Sequence, residues 1–302
     1  AQLTPNDTSV RTAVAVSQLA KGNADNAFTA LQAISRDDAG TTADLALISA
    51  RMQRKEVPQA LEAIAALEKK QPNAPFPPFM RGRAYLLAND PAKSRAEFER
   101  ALKLDGGYFP AVAALVALDL AQNKRDAAAK RYEDFSAANP KSYLGRLALA
   151  GLRRGANAPS ADVAAIINGA IQVAPGEAAP RVALINHYLS VREFKAADQA
   201  AQEAIAALPD NPDVLDAVGR TQLGSGRADQ AIPTFKRLAT LLPQAAFPQV
   251  RLADAYMALR DTRSALESLR RTVEIQPDLL TRSEERTSEL QSRVEISYAV
   301  LC

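Results

Sequence analysis

Several residue types are scarce in this chain, and their scarcity excludes several kinds of site. The 302 residues include one Cys, one His and no Trp. These numbers exclude a disulfide framework and leave too few ligands for a transition-metal site. No run approaches the ~18 consecutive apolar residues that a membrane-spanning helix needs. The charge is nearly balanced, at 37 basic against 34 acidic residues, and the basic residues are not clustered as nucleic-acid binding requires.

What the chain does have is proline at regular intervals. Six prolines are separated by 68, 35, 34, 34 and 34 residues, and the longest interval is two periods of 34 with a glycine, Gly106, at its midpoint. The six are Pro72, Pro140, Pro175, Pro209, Pro243 and Pro277. A period of this length predicts stacked units that bury their apolar faces against one another.

Side-chain types recur within each unit. Repeat positions are numbered from the first residue of each unit, with units beginning at residues 41, 75, 109, 144, 178, 212 and 246. At positions 7, 8, 11, 20, 24 and 27, three units read Leu252, Ala253, Tyr256, Ala265, Leu269, Thr272; Val218, Gly219, Gln222, Ala231, Phe235, Leu238; and Leu184, Ile185, Tyr188, Ala197, Ala201, Ala204. The first three and the last three positions follow the helical period, which predicts two facing helices in each unit. No alternating strand pattern is found, so the chain is predicted to be all-α.

The pattern resembles the tetratricopeptide repeat (TPR). The resemblance implies a TPR α-solenoid, in which antiparallel helix pairs stack into a right-handed superhelix with a 34-residue period. Residues 1–281 are predicted to form about eight repeats, as a fragment of a longer array. The large aromatic residue usual near position 4 is missing, and the unit ending at Pro175 matches loosely.

Small residues at position 8 are expected to let paired helices approach closely. Gly82 and Gly219 occupy this position. Leucine at Gly219 is therefore expected to overpack the repeat, by roughly 1–3 kcal/mol. Alanine at Gly219 is expected to be nearly neutral, because it gains about 1 kcal/mol of helix propensity.

Residues 282–302 do not continue the repeat pattern. Three blocks, Arg282–Glu285, Thr287–Ser292 and Ile296–Val300, resemble the conceptual translation of a short-read sequencing adapter. The resemblance implies a non-native tail, and removing it is expected to leave the melting temperature unchanged or slightly higher. The alternative is a polar terminal cap, which a solenoid needs.

No motif for catalysis stands out. His187 is expected to have a packing or surface role, and Gly224-Ser225-Gly226 is interpreted as a turn between helices and not as a phosphate loop. The basic doublets Lys69-Lys70, Lys236-Arg237 and Arg270-Arg271 are interpreted as solvated faces of second helices. We therefore predict no catalytic residue, no cofactor, no metal and no nucleic-acid ligand.

The resemblance implies a binding role. In a TPR superhelix the first helices line the concave surface, around positions 2, 5, 9 and 12. The predicted partner-binding residues are Leu45, Ser49, Phe79, Arg83, Leu152, Val182, Asn186, Asp216, Arg220, Val250 and Asp254. The expected partner is an extended or helical peptide with Phe79 as its main anchor, because large aromatic residues dominate binding hot spots. No Lys stands at position 5, which disfavours the clamp that TPR co-chaperones use for a C-terminal carboxylate.

Residues 108–140, YFPAVAALVALDLAQNKRDAAAKRYEDFSAANP, resemble the TPR lipoproteins of bacterial exopolysaccharide and exosortase (PEP-CTERM) systems. This resemblance implies a non-enzymatic scaffold for an envelope polysaccharide or protein-sorting assembly. It also implies a location in the periplasm or at the outer membrane, with a lipid anchor upstream and no membrane contact from this segment. The alternatives are a cytoplasmic location and a role as the substrate-recognition arm of a larger enzyme, such as a glycosyltransferase.

Overall fold

The chain folds into successive helical hairpins. A computed structural model describes residues 7–277, which contain sixteen α-helices and no strand. The helices are α1 (Thr8–Ala20), α2 (Ala24–Asp37), α3 (Thr42–Gln53), α4 (Val57–Lys70), α5 (Phe76–Leu87), α6 (Pro91–Leu104), α7 (Phe109–Ala121), α8 (Arg125–Ala138), α9 (Leu144–Gly155), α10 (Ser160–Val173), α11 (Ala178–Ser190), α12 (Phe194–Ala207), α13 (Pro212–Gly224), α14 (Ala228–Leu241), α15 (Phe247–Ala258) and α16 (Thr262–Ile275). None of these helices is long and apolar enough to cross a bilayer. The all-helical fold predicted from the 34-residue period is thereby confirmed.

The helices belong to two compact units. The first unit lies within residues 1–140 and contains α1 to α8, and the second lies within 141–302 and contains α9 to α16. Odd-numbered helices are the first helices of hairpins, and even-numbered helices are the second. The predicted non-native tail, 282–302, lies outside the described residues.

Each hairpin is closed by a short turn with one repeated geometry. In the α11–α12 turn the Glu193 amide donates to the Tyr188 carbonyl over 2.9 Å, and in the α15–α16 turn Asp261 donates to Tyr256 over 2.9 Å. This six-residue bond caps a helix when the preceding residue adopts a left-handed conformation. That residue has a positive φ in all eight hairpins: Gly22, Lys55, Asn89, Asn123, Asn157, Arg192, Gly226 and Arg260.

One hairpin contains an extra residue in its turn. Seven turns have three residues, whereas the α9–α10 turn has four, from Ala156 to Pro159. The capping bond from the Ala158 amide to the Arg153 carbonyl is kept, so Pro159 is the residue added before α10. This insertion explains the single 35-residue proline interval. It also explains why the unit ending at Pro175 matches the repeat loosely, because α9 is out of step with α10 by one residue.

Paired helices meet through positions 8 and 24. A Cβ atom built on Gly219 would lie 2.3 Å from Cε1 of Phe235, and one built on Gly82 would lie 2.5 Å from Cε1 of Phe98. Both phenylalanine rings have no exposed surface, so they fill the space that the glycines leave. These distances argue against a nearly neutral alanine at Gly219, because even one methyl group would overlap a buried ring.

The first unit contains two buried carboxylates, and each of them connects three successive helices. Asp44 on α3 has no exposed surface, accepts a bond from Ser35 Oγ at 2.6 Å and pairs with Lys70 Nζ at 2.6 Å. Lys70 also donates to the Gly40 carbonyl over 3.0 Å. The interpretation of Lys70 as part of a solvated face is therefore wrong: its ammonium group neutralises a buried charge.

The second buried carboxylate is Asp119 on α7. It is 2% exposed and pairs with Arg95 on α6, at 2.7 Å, and with Arg131 on α8. Burial opposes its ionisation, but the bonds from Arg131 and Arg95 outweigh that effect and hold the pKa of Asp119 below its usual value. The carboxylate therefore links neighbouring hairpins while remaining charged.

Candidate partner-binding surface

A chain of polar side chains joins the first helices of three consecutive hairpins in the second unit. Arg220 on α13 donates from Nη2 to Asn186 Oδ1 on α11 over 2.8 Å, and from Nε to Asp216 Oδ2 over 2.8 Å. Arg251 on α15 donates from Nε to the other oxygen, Asp216 Oδ1, over 2.7 Å. Asp216 thus holds two guanidinium groups in fixed orientations.

This polar chain leaves donors available to a ligand. Among residues 7–277, the Nη atoms of Arg251 and Nδ2 of Asn186 donate no hydrogen bond to another side chain or carbonyl. The side chains of Arg220 and Arg251 are 29% and 35% exposed, so the ion pairs themselves contribute little stability. Their main consequence is to restrain the orientation of the two guanidinium groups and of the Asn186 amide.

Two shallow concavities adjoin the polar chain. One, of about 340 Å³, is lined by Ala179, Val182, Ala183, Asn186, Asp213, Asp216 and Arg220. The other, of about 200 Å³, is lined by Leu147, Ala150, Gly151, Arg154, Val163, Ile167, Ala183 and Asn186. Asn186 and Ala183 line both, so the two form a continuous surface, which we call the first-helix groove. The structure thus brings together Val182, Asn186, Asp216 and Arg220, all of which were predicted from positions 5 and 9.

The prediction of Leu152 requires a correction. Because the extra residue lies in the turn after α9, positions 5 and 9 on that helix are occupied by Leu147 and Gly151. Both line the groove, whereas Leu152 does not. The buried residues agree with this shift, since Leu149 and Ala150 take the core positions 7 and 8. Leu152 lies one residue beyond Gly151, about 100° around the helix.

The other two predicted residues of the second unit lie near the end of the described chain. Val250, on α15, is half-buried one residue before Arg251, and Asp254 is exposed. Asp254 forms no ion pair within the part of the chain that the structure describes. Arg251, which completes the polar chain, was missed because it stands at position 6, outside the positions considered for the inner surface.

The predicted residues of the first unit lie on two first helices, α3 and α5. Leu45 on α3 is 40% exposed. Ser49, one helical turn further on, lines a concavity of about 440 Å³ between α1 and α3, together with Val16 and Leu19. Arg83 on α5 is exposed, with Nη1 at 3.9 Å from Met80 Sδ.

Phe79 is half-buried between hairpins. Its ring centroid lies 5.6 Å from that of Phe98 and 5.5 Å from that of Tyr108, the latter edge-on. These distances are typical of aromatic packing in a core. The ring therefore has a structural role in joining α5, α6 and the residue before α7.

The single histidine is buried as well. His187 is 1% exposed, and its Nε2 lies 3.1 Å from the carbonyl oxygen of Ser160 and 3.1 Å from its hydroxyl. This burial agrees with the predicted packing role. No group of three or more His, Cys, Asp or Glu residues that could hold a metal ion is found among the described residues.

Comparison with known families agrees with the repeat pattern. A tetratricopeptide repeat model matches residues 182–246, and a second matches residues 79–108 and 249–279. Residues 79–108, 182–246 and 249–279 thus match the tetratricopeptide repeat. The matched segment 182–246 includes Asn186, Asp216 and Arg220 of the polar chain.

Solved structures with TPR-like folds are similar over part of the chain. MamA is 17% identical with a TM-score of 0.45, covering 56% of this chain and 92% of MamA. PilW, described as a widely conserved type IV pilus biogenesis factor, is 17% identical with a TM-score of 0.49, covering 67% and 94%. A thermophilic TPR protein of Thermus thermophilus is 21% identical with a TM-score of 0.43, covering 61% and 100%. At these identities the similarity concerns the helical fold alone. No curated protein matches the sequence significantly.

Proposed function

We propose that this chain is a non-enzymatic protein–protein interaction scaffold that binds a peptide segment in the first-helix groove of its second unit. The observation that carries this proposal is the polar chain from Asn186 to Arg251, which holds hydrogen-bond donors beside a small apolar concavity. Binding sites combine apolar contact area with a few well-placed polar groups in this way.

The groove favours a peptide with a small or medium apolar side chain. Such a side chain would enter the concavity beside Ala179, Val182 and Ala183. Peptide carbonyl or carboxylate oxygens would accept bonds from Asn186 Nδ2 and from the Arg251 guanidinium. Asp213 and Asp216 border the same space, so a peptide of balanced charge suits the groove better than a strongly acidic one.

Peptide selection on the purified chain tests this proposal. Peptides selected from a displayed library are measured by calorimetry against the parent chain and two variants. Ala179→Arg places a long side chain in the concavity from an exposed position and is expected to weaken binding at least tenfold. Ala206→Arg is the matched control, because Ala206 is exposed on the second helix α12. Equal affinity of all three proteins for every selected peptide would refute the groove as the binding site.

We further propose that the scaffold serves a bacterial envelope polysaccharide or protein-sorting assembly, at the periplasmic side or the outer membrane. Support comes from the resemblance of residues 108–140 to the TPR lipoproteins of such systems. Fractionation of cells that produce the native protein tests the location. Recovery of the protein in the envelope fraction is expected, and recovery in the cytoplasm alone would refute the location without affecting the groove.

A further inference from the structure

The hairpin turns of the second unit lie along one edge of its stacked hairpins. At this edge, two turns two repeats apart combine exposed apolar and basic side chains. Val191 and Phe194, at the α11–α12 turn, are 42% and 38% exposed. Met257 and Leu259, at the α15–α16 turn, are 56% and 48% exposed. We call the segments 191–195 and 257–263 the basic turns.

Within residues 7–277 the cations of the basic turns are not tied up in close contacts, although the Asp261 carboxylate interacts electrostatically with Arg263. Arg192 and Lys195 lie in the first segment, and Arg260 and Arg263 in the second; all four are exposed. None of them forms a side-chain hydrogen bond or ion pair among residues 7–277. By contrast, Arg227 in the intervening turn is paired with Asp198 on α12.

Backbone conformation makes these arginines unusual. Arg192 and Arg260 have φ values of 60° and 62°. This left-handed region is sterically unfavourable for a residue with a Cβ, and Gly or Asn occupies it most readily. Gly226 and Asn157 fill the same place in the other two turns of the second unit. Arginine at these two positions, like Lys55 in the first unit, is not the residue that the backbone favours, which leaves its side chain open to a role outside folding.

One acidic residue lies in each basic turn, Glu193 or Asp261, so each turn keeps a net charge of +1. Asp261 accepts a bond from the Ser264 amide at 3.1 Å and thereby caps α16. Glu193 is exposed and is the one acidic residue in 191–195. Two cations on the opposite edge are engaged: Arg181 donates to the Pro175 carbonyl over 3.2 Å, and Arg237 pairs with Asp210 at 2.5 Å.

We propose that the basic turns dock the second unit on an anionic phospholipid surface. Exposed apolar side chains next to unpaired Arg and Lys are the combination that binds the interface of a negatively charged bilayer. The aliphatic side chains enter the headgroup region while the cations contact phosphates. This contact is not expected from the sequence, in which the basic residues are dispersed, because hairpin stacking is what aligns the two turns on one edge.

Vesicle binding by the full 302-residue chain tests the proposal. The probes are vesicles of phosphatidylglycerol mixed with phosphatidylcholine, compared with pure phosphatidylcholine vesicles. Binding is expected only to the anionic vesicles, and it should weaken as salt is raised. The double variant Arg192→Asn with Arg260→Asn should bind about 25-fold more weakly, since each basic residue near such a surface contributes about fivefold. Asn suits the left-handed conformation, so the variant should melt at the same temperature as the parent or higher.

The matched control removes two other exposed cations. Lys236→Gln with Arg270→Gln makes the same change in charge at position 25 of two second helices, away from the basic turns. It should reduce vesicle binding less than threefold. An equal loss in both double variants would overturn the proposal, because binding would then depend on overall charge. Lack of binding to anionic vesicles would also overturn it, and binding of polyglutamate instead would assign the basic turns to an acidic protein partner.

The apolar half of the proposal is tested separately. Val191→Ser with Leu259→Ser keeps every charge and should weaken vesicle binding at least fivefold. Unchanged affinity would refute the insertion of these side chains into the headgroup region.

Discussion

The contact between Gly219 and Phe235 allows a stability effect to be worked out from distances. A methyl carbon on Gly219 would lie 2.3, 2.6 and 2.7 Å from Cε1, Cζ and Cδ1 of the ring, whereas carbon atoms in contact are about 3.5–4.0 Å apart. The ring would therefore have to shift by more than about 1 Å. Phe235 has no exposed surface, so the shift would displace other core atoms.

Two opposing effects set the expected change in the free energy of unfolding. Overpacking a core costs about 1–3 kcal/mol, and replacing Gly by Ala in a helix returns about 1 kcal/mol. We therefore expect Gly219→Ala to lower the free energy of unfolding by about 1 kcal/mol, and Gly219→Leu by about 3 kcal/mol or more. Urea unfolding followed by circular dichroism measures both.

A matched control separates packing from helix propensity. Gly151 also lies within a helix, but a Cβ built there would have no atom within 4 Å. Gly151→Ala should therefore raise the free energy of unfolding by about 1 kcal/mol. If Gly219→Ala gave the same rise, the close contact with Phe235 would be disproved.

A compensating pair of substitutions tests whether Gly219 and Phe235 share one space. The α11–α12 hairpin has Ile185 and Ala201, both buried, at the two positions that Gly219 and Phe235 occupy. Gly219→Ile combined with Phe235→Ala copies that arrangement. The double variant should be more stable than the sum of the single effects predicts, with a coupling of about 1–3 kcal/mol. Simple additivity would show that the two positions do not share one space.

Three further predictions concern other contacts. Asp119→Asn should lower the free energy of unfolding by about 3 kcal/mol, because it leaves Arg95 and Arg131 without their buried partner. The pKa of Asp119 is lowered in the folded state, so its carboxylate contributes to the free energy of unfolding in full above about pH 4. This contribution is lost as the pH falls through the folded-state pKa. Denaturation curves of parent and variant should therefore converge in acid. Phe79→Ala should lower stability by about 3 kcal/mol in thermal and urea unfolding, and an unchanged stability would contradict a structural role for this ring. Lys55→Asn, at a φ of 57°, should raise stability by about 0.5–1 kcal/mol in the same assay, and a loss would argue against strain at the turn.

The periodic features of the chain were predictable because they depend on residue type at fixed spacing. Buried residues such as Ala231, Phe235 and Leu238 follow directly from the helical period. The groove residues Asn186 and Arg220, which lie 34 residues apart and share a hydrogen bond, follow from the same period.

Features that depend on one residue or on a partner in space were not predictable. The 35-residue interval shows that a residue is inserted but not where, so Leu152 was placed one residue out of register. Lys70 looks like any other surface lysine until Asp44 is seen to be buried beside it. The overlap between Gly219 and Phe235 depends on the distance between two helices, which the composition and the repeat spacing do not determine.

The match between Gly219 and Phe235 also bears on how such an array can change during evolution. Both residues belong to the same hairpin, as do Gly82 and Phe98, so each of these two hairpins contains both residues of the contact. Duplication or exchange of a whole hairpin preserves that fit. Recombination within a turn would instead pair a first helix with a second helix from another hairpin. Gly219 of α13 opposite Ala201 of α12 would leave a void, and Ile185 of α11 opposite Phe235 of α14 would cause a clash. The complete hairpin is therefore the smallest segment whose exchange preserves this contact.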